Sequence, residues 1–264
     1  MMSILTMPRF ITVNPPASLR KVVSHYWLSL DNADSAYSAM PDGAVDLVIG
    51  TRGSTVQSWI YGTTTTRTEI SLEKHGHYLG VRFKPGQSRH FINAAANELT
   101  DGHELSDQLV RFPLSEILEN GTNEDVFARL NRTLETYLTE QSPARASIDD
   151  IISLIETSRG AIDINEAAAA FDKGRRQFER VFLQTVGVSA KCFASINRFH
   201  HAASLVAQRR STLVDIAAQA GYADQSHMTH EFRRLARISP AAFARQHVVF
   251  IQDSSLTTPD NTHS

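Results

Sequence analysis

The stretch "AGYADQSHMTHEF" occupies residues 220–232. It opens on the compact run Ala220, Gly221 and Tyr222, then turns polar, with Met228 and Phe232 four positions apart. Residues four apart share one face of a helix. Around that narrow apolar stripe stand Gln225, Ser226, His227, Thr229 and His230. A core-facing helix of an ordinary globular domain carries a broader apolar face. A helix anchored by so little has its other faces free for a different task.

The same pattern occurs 50 residues earlier. "GRRQFERVFLQTVGVSAKCF" (174–193) overlays "DQSHMTHEFRRLARISPAAF" (224–243). Phe178 matches Met228, Phe182 matches Phe232, Val188 and Ser189 match Ile238 and Ser239, and Phe193 matches Phe243. Upstream, "INEAA" (164–168) matches "LVDIA" (213–217) at an offset of 49. Two copies are too few for a solenoid. Two helix–turn–helix motifs are the simpler reading. In each, a short helix packs through small residues, Ala167 and Ala168 or Ala217 and Ala218. In the second turn Gly221 admits a positive φ without steric cost.

A helical wheel at about 100° per residue orients both copies. With Phe178 at zero, Phe182 falls near about 40°, while Arg176 and Arg180 fall near about 160° and 200°, directly outward. With Met228 at zero, Phe232 faces inward, and Ser226 and His230 take the outward positions. Arg bonds guanine in bidentate fashion, Gln does the same to adenine, and Ser, Thr and His are adaptable donors or acceptors. Such side chains suit a helix laid in a DNA major groove, where an ordinary solvated helix face is the alternative. Lys173, Arg175 and Arg233 are placed better for phosphates, which fix register without reading sequence.

Charge is distributed accordingly. The net −2 of the 264-residue chain divides into −3 over residues 1–145, +3 over 146–250 and −2 over the last 14. The positive excess lies with the repeat, as a polyanion partner requires. Hydrophobic content of 42% and charged content of 20% are ordinary for a globular protein. The lone Cys192 forms no internal disulfide and reads as a small apolar filler. With no basic-then-apolar leader and no run of 18 apolar residues, the expected location is cytoplasmic, without a membrane partner.

The first ninety residues read as short strands. "VSHYWLSL" in the 22–31 region, "AVDLVIG" (44–50) and "HYLGVRF" (77–83) are β-branched or aromatic runs, punctuated by "MPDG", "TRGS" and "KPGQ". They imply a β-rich sheet or partial barrel. "NEDVFARLNRTLETYLTE" (123–140) is helical, with Val126, Phe127, Leu130, Leu134, Tyr137 and Leu138 on one stripe. That stripe is either packing against the sheet or a dimer seam. "QSPARAS" (141–147) reads as a linker and "DSSLTTPDNTHS" (253–264) as a polar tail.

Residues 147–246 resemble the AraC/XylS family of transcription regulators. The most specific stretch is "DIAAQAGYADQSHMTHEFRRLARISPAAF" (215–243), supported by "RFHHAASLV" within "AKCFASINRFHHAASLVAQR" (190–209). The resemblance implies two helix–turn–helix motifs joined by a long helix, with recognition helices entering successive major-groove segments. It implies base contacts by Arg176, Glu179 and Arg180 in the first motif, and by Gln225, Ser226, His227, Thr229 and His230 in the second. The sequence departs from the family pattern at Asp172 and Gly174, where Gly and a capping Ser are usual. It also departs at Ala190 for Pro, His230 for Arg and Arg237 for Gly. More weakly, "HYW" (25–27), "PDGAVDLVI" (41–49), "GVRFKPG" (80–86) and "NELTD" (97–101) resemble a cupin-like sensor domain of some family members.

The fold expected is therefore α+β: a β-rich N-terminal sensor-like domain followed by an all-α double helix-turn-helix DNA-binding domain. The expected boundaries are 1–140 for the sensor or oligomerisation domain, 141–147 for the linker, 148–250 for the DNA-binding domain and 251–264 for a flexible tail. Double-stranded DNA is the expected partner. A small-molecule effector at the N-terminal domain, RNA polymerase and a second copy in a homodimer are further partners. No catalytic residue and no cofactor are assigned, so an enzyme is not expected. Two other readings stand beside this one. In the first, "HGH" (75–77) with His25, His90 and Asp46 holds zinc or iron in a cupin-like metal-dependent enzyme with an accessory helical module. In the second, the repeat binds protein rather than DNA.

Overall fold

A computed structural model of the chain describes residues 9–30, 36–52, 55–118, 125–141, 146–171 and 174–245. The N-terminal part contains β1 (Arg9–Val13), β2 (Val23–Leu30), β3 (Ala36–Ala39), β4 (Asp46–Arg52), β5 (Thr55–Tyr61), β6 (Thr68–Ser71), β7 (Tyr78–Phe83) and β8 (His103–Leu105). Six of these strands form one antiparallel sheet in the order β1-β2-β7-β4-β5-β8; β3 and β6 pair separately. Helices α1 (Ser115–Leu118) and α2 (Val126–Gln141) follow.

Alternation gives the large sheet two unlike faces. One carries Tyr26, Leu47, Ile49, Ile60, Leu79, Val81 and Phe83, all buried against Leu130 and Leu134 of α2. The apolar stripe of α2 is thus used inside the chain: Phe127 stacks near Tyr26, whose hydroxyl donates to Asn131 at 2.8 Å. The opposite face carries Trp27, Trp59 and Tyr61 beside Asp46 and Arg82, which face each other across β4 and β7. Gly80 lies opposite Trp27, and a Cβ there would run into the indole. Arg82 bonds Asp46 at 2.8 Å and also bonds Asp42. Burial nevertheless lifts the Asp46 carboxyl to about 6, with Arg82 pulling the other way.

The C-terminal part is helical: α3 (Ser147–Thr157), α4 (Ile164–Ala169), α5 (Arg175–Val186), α6 (Ala190–Gln208), α7 (Leu213–Gln219), α8 (Gln225–Ala236) and α9 (Pro240–Arg245). Two apolar cores share α6. Its first turns supply Phe193 and Ala194 to a cluster with Ile151, Ile155, Ala167, Phe178 and Phe182. Its later turns supply Phe199, Ala203 and Val206 to a cluster with Ile216, Ala217, Met228, Phe232 and Phe243. Each large apolar side chain buried this way contributes roughly 1.5–3 kcal/mol.

The repeat is literal in the backbone. Helices α5 and α8 each have 12 residues and start 50 apart. The helices before them are capped alike: Asp163 accepts from the Asn165 N–H, and Thr212 accepts from the Asp215 N–H. After α5 and α8, Ser189 and Ser239 accept from the N–H of Cys192 and Ala242, both at 3.2 Å. Gly221 has φ 75°, the left-handed turn its sequence position suggests.

Several sequence expectations lie outside the described residues. These include residues 142–145 of the linker, Asp172 and Lys173, residues 246–250 of the expected DNA-binding domain, and the 251–264 tail. The paired histidines of "HGH" sit in an exposed turn before β7 and not on a strand. Among the described residues no group of three or more His, Cys, Asp or Glu is placed to hold a metal ion. Among them too, no helix is long and apolar enough to cross a membrane.

Candidate nucleic-acid interface

The inward positions of both repeated helices are sealed. Phe178, Phe182, Met228 and Phe232 are each at most 1% exposed. Arg176, Arg180, Ser226 and His230, at the opposite phase, are all exposed. The wheel orientation read from the sequence therefore holds in both copies. Gln225, His227 and Arg233 are exposed as well, and Thr229 is half-buried. Gln225, Ser226, Thr229 and Arg233 line one shallow depression on α8.

The two helices begin differently. At α8 the Asp224 carboxylate accepts from the His227 N–H at 2.7 Å, as an N-cap should. The Tyr222 ring meets the His227 ring edge-on at 5.2 Å, which fixes the entry to the helix. At α5 the cap is Gly174, with φ 78° and ψ 161° and no side chain to accept a bond. Arg175 supplies another support there. Its guanidinium reaches Glu179 at 3.0 Å and the Asn165 side-chain oxygen at 2.9 Å, so it ties α5 to α4. Arg180 donates to Gln177 at 2.8 Å.

These pairings add residues that the sequence reading did not single out. Asn165 and Gln177 orient Arg175 and Arg180 before any ligand arrives. The signal for Gln177 was its place three residues before Arg180, neighbours on a helix. The signal for Asn165 is absent locally, because its partner lies in the next helix. Adjacent arginines also part company: both are exposed, but Arg234 turns back to Ser195 and Glu231, each at 2.7 Å. Ser195 in turn donates to Glu231 at 2.6 Å, fastening α8 to α6. Cys192 is half-buried, and burial pushes its thiol up, away from a nucleophilic thiolate.

The arrangement offers hydrogen-bond donors and positive charge from two helices anchored at matched phase. That is the chemistry of polyanion and base-edge recognition.

Comparison with known proteins agrees on this part of the chain. Residues 167–246 match a helix-turn-helix domain, and residues 11–104 match a domain of unknown function. Residues within the chain are 25% identical over 95 positions to an HTH-type transcriptional regulator of Haemophilus influenzae, covering 36% of this chain and 32% of that one. Over 78 positions the chain is 30% identical to the virulence regulon transcriptional activator VirF of Yersinia enterocolitica, covering 30% and 29%. It is likewise 30% identical over 78 positions to the regulator ExsA of Pseudomonas aeruginosa, covering 30% and 28%. The chain thus spans about a third of the length of the curated relatives it matches. Among solved structures it is similar to ToxT of Vibrio cholerae, with 12% identity and a TM-score of 0.42, over 90% of this chain and 97% of that one. ToxT bound to an unsaturated fatty acid is similar at 12% identity and a TM-score of 0.41, over 91% and 97%. The C-terminal helices form a double helix-turn-helix unit. That unit is similar to the helix-turn-helix regions of AraC-type regulators.

Proposed function

We propose that this protein is a sequence-specific, DNA-binding transcription regulator. The observation that carries the proposal is the pair of 12-residue helices, 50 positions apart, with apolar anchors inward and polar side chains outward at the same phase. In this reading residues 148–250 bind duplex DNA and residues 1–140 sense or oligomerise, joined by 141–147. Arg176, Glu179, Arg180, Gln225, Ser226, His227, Thr229 and His230 face bases, and Lys173, Arg175 and Arg233 face phosphates. The pairing of Arg175 with Glu179 supports a role for that arginine in positioning as well.

A small effector acts at the N-terminal part. The support is the sheet face carrying Trp27, Trp59 and Tyr61 next to the Arg82, Asp46 and Asp42 charges, a mixture of aromatic and polar groups that suits ligand recognition. Effector binding changes how the helical part meets DNA or RNA polymerase, in the cytoplasm, as a monomer or a homodimer. Selection of duplexes from a random pool, followed by binding at increasing salt, tests the main reading. Phosphate contacts release counterions, so log K should fall linearly with log salt. A repeat that binds protein instead would select no sequence and show no such slope.

A further inference from the structure

A helix leaves its last carbonyls without partners inside the helix. In both repeated helices these ends point at the same place, the connection between β5 and β6. The Thr63 hydroxyl, fully buried, donates to the Val186 carbonyl at the end of α5 at 2.7 Å. The Thr100 hydroxyl donates to the next carbonyl, that of Gly187, also at 2.7 Å. Four residues along from Thr63, the Arg67 N–H donates to the Leu235 carbonyl at the end of α8 at 2.7 Å. The Arg237 guanidinium, just past α8, donates to the Thr66 hydroxyl at 3.2 Å.

Gly187 and Arg237 are equivalent positions of the repeat, 50 apart, and both are left-handed C-caps, with φ 94° and 59°. The same end of each motif is therefore gripped by one short segment, 63–67. That segment is itself fixed. Asp101 accepts from the N–H and hydroxyl of Thr65 at 2.7 and 2.6 Å, and the Asp101 N–H donates to the Thr63 carbonyl at 2.9 Å. Thr64 donates to the Met40 carbonyl at 3.1 Å, and Met40 is buried within the second helical core. Gly43 presses its backbone against Phe193 so closely that a Cβ would not fit. The outward faces of α5 and α8 stay exposed while their far ends are held.

We infer that Thr63, Thr100 and the 63–67 segment fix the separation of the two reading helices, and so determine the spacing between DNA half-sites that the protein accepts. The inference rests on the DNA-binding reading above. Held at one rigid bridge, the helices meet successive groove segments only where the half-sites stand at one distance. A tether through α6 alone leaves that distance to a single helix and its packing.

The test uses the full chain and its own selected duplex. Binding is compared on that duplex and on one with about 5 bp, half a helical turn, inserted between half-sites. For the natural chain the insertion should weaken binding at least about tenfold. In the Thr63→Val, Thr100→Val double variant the ratio between the two duplexes should shrink to about threefold or less. Thr63→Ser keeps the hydroxyl and should keep the natural ratio. If the double variant does not fold, Arg237→Gly decides, because it cuts the exposed tether to Thr66 and relaxes the left-handed cap. A folded variant with the natural ratio overturns the inference. A natural chain that selects no duplex overturns the DNA-binding reading instead, and the spacing role falls with it.

Discussion

Arg89, in the turn after β7, and Asp149, in the first turn of α3, form an ion pair at 2.8 Å that joins the two parts of the chain. Gln87 adds a hydrogen bond to the same carboxylate at 2.9 Å, and the Ala146 N–H another at 2.9 Å. Burial alone would raise this carboxyl, but the bonds from Arg89, Ala146 and Gln87 outweigh it and hold the acid below its ordinary value of 3.8. The charged form is thus favoured on folding. Its contribution is present above that ordinary value and is lost as pH falls through the depressed folded one. Unfolding midpoints followed down to about pH 2 should drop more steeply for the natural chain than for Asp149→Asn. Parallel curves would place the acid sensitivity elsewhere.

Replacing Arg176 or Arg180 by Ala should weaken binding to the selected duplex by about 1–3 kcal/mol per lost base contact. Both side chains are exposed, so the thermal midpoint should stay near that of the natural chain. Fluorescence anisotropy on matched duplexes reads the first quantity and calorimetry the second. Full affinity in both variants removes them from the reading face.

Met228 is completely buried beneath α8, next to Phe199 and Phe232 in the same core. Met228→Ala should cost roughly 2–5 kcal/mol of stability, because the surrounding rings cannot close the space. Denaturant unfolding measures it. A loss under about 1 kcal/mol would mean that the second core is looser than its packing indicates.

Restoring the missing cap of α5 should fail. Gly174 has φ 78° and ψ 161°, a region essentially reserved for glycine. Gly174→Ser supplies a capping hydroxyl yet forces a side chain into that backbone, so the expected result is a loss of about 1–3 kcal/mol. A higher melting temperature in the variant would show that the turn rearranges freely.

The double motif was legible because everything that defines it is local. Apolar positions four apart, small residues at the helix contact and a glycine turn recur within 50 positions, so one copy checks the other. Strands β2 and β7 stood out for the same reason, being dense in β-branched and aromatic residues. Strand β5 and the short β3, β6 and β8 did not, since "TVQSWIY" is half polar and edge strands carry little pattern. The apolar stripe of α2 left two uses open, and the choice needed the sheet that covers it. The grip on the helix ends was hidden altogether. "TTTTR" (63–67) reads as an undistinguished polar turn, and Thr63 meets Val186 across 123 positions. The departure from a capping Ser at Gly174 was legible, but its positive φ was not.

The two exposed helix faces are built to one plan and furnished differently. The first offers Arg176 and Arg180; the second offers Gln225, Ser226 and His230. In the DNA-binding reading proposed above, a stretch of duplex satisfying both in order has a beginning and an end, and no mirror symmetry is asked of it. A single chain seated there points one way along the double helix. Reversing the sequence would turn the whole molecule around, carrying its sheet-built half to the opposite flank.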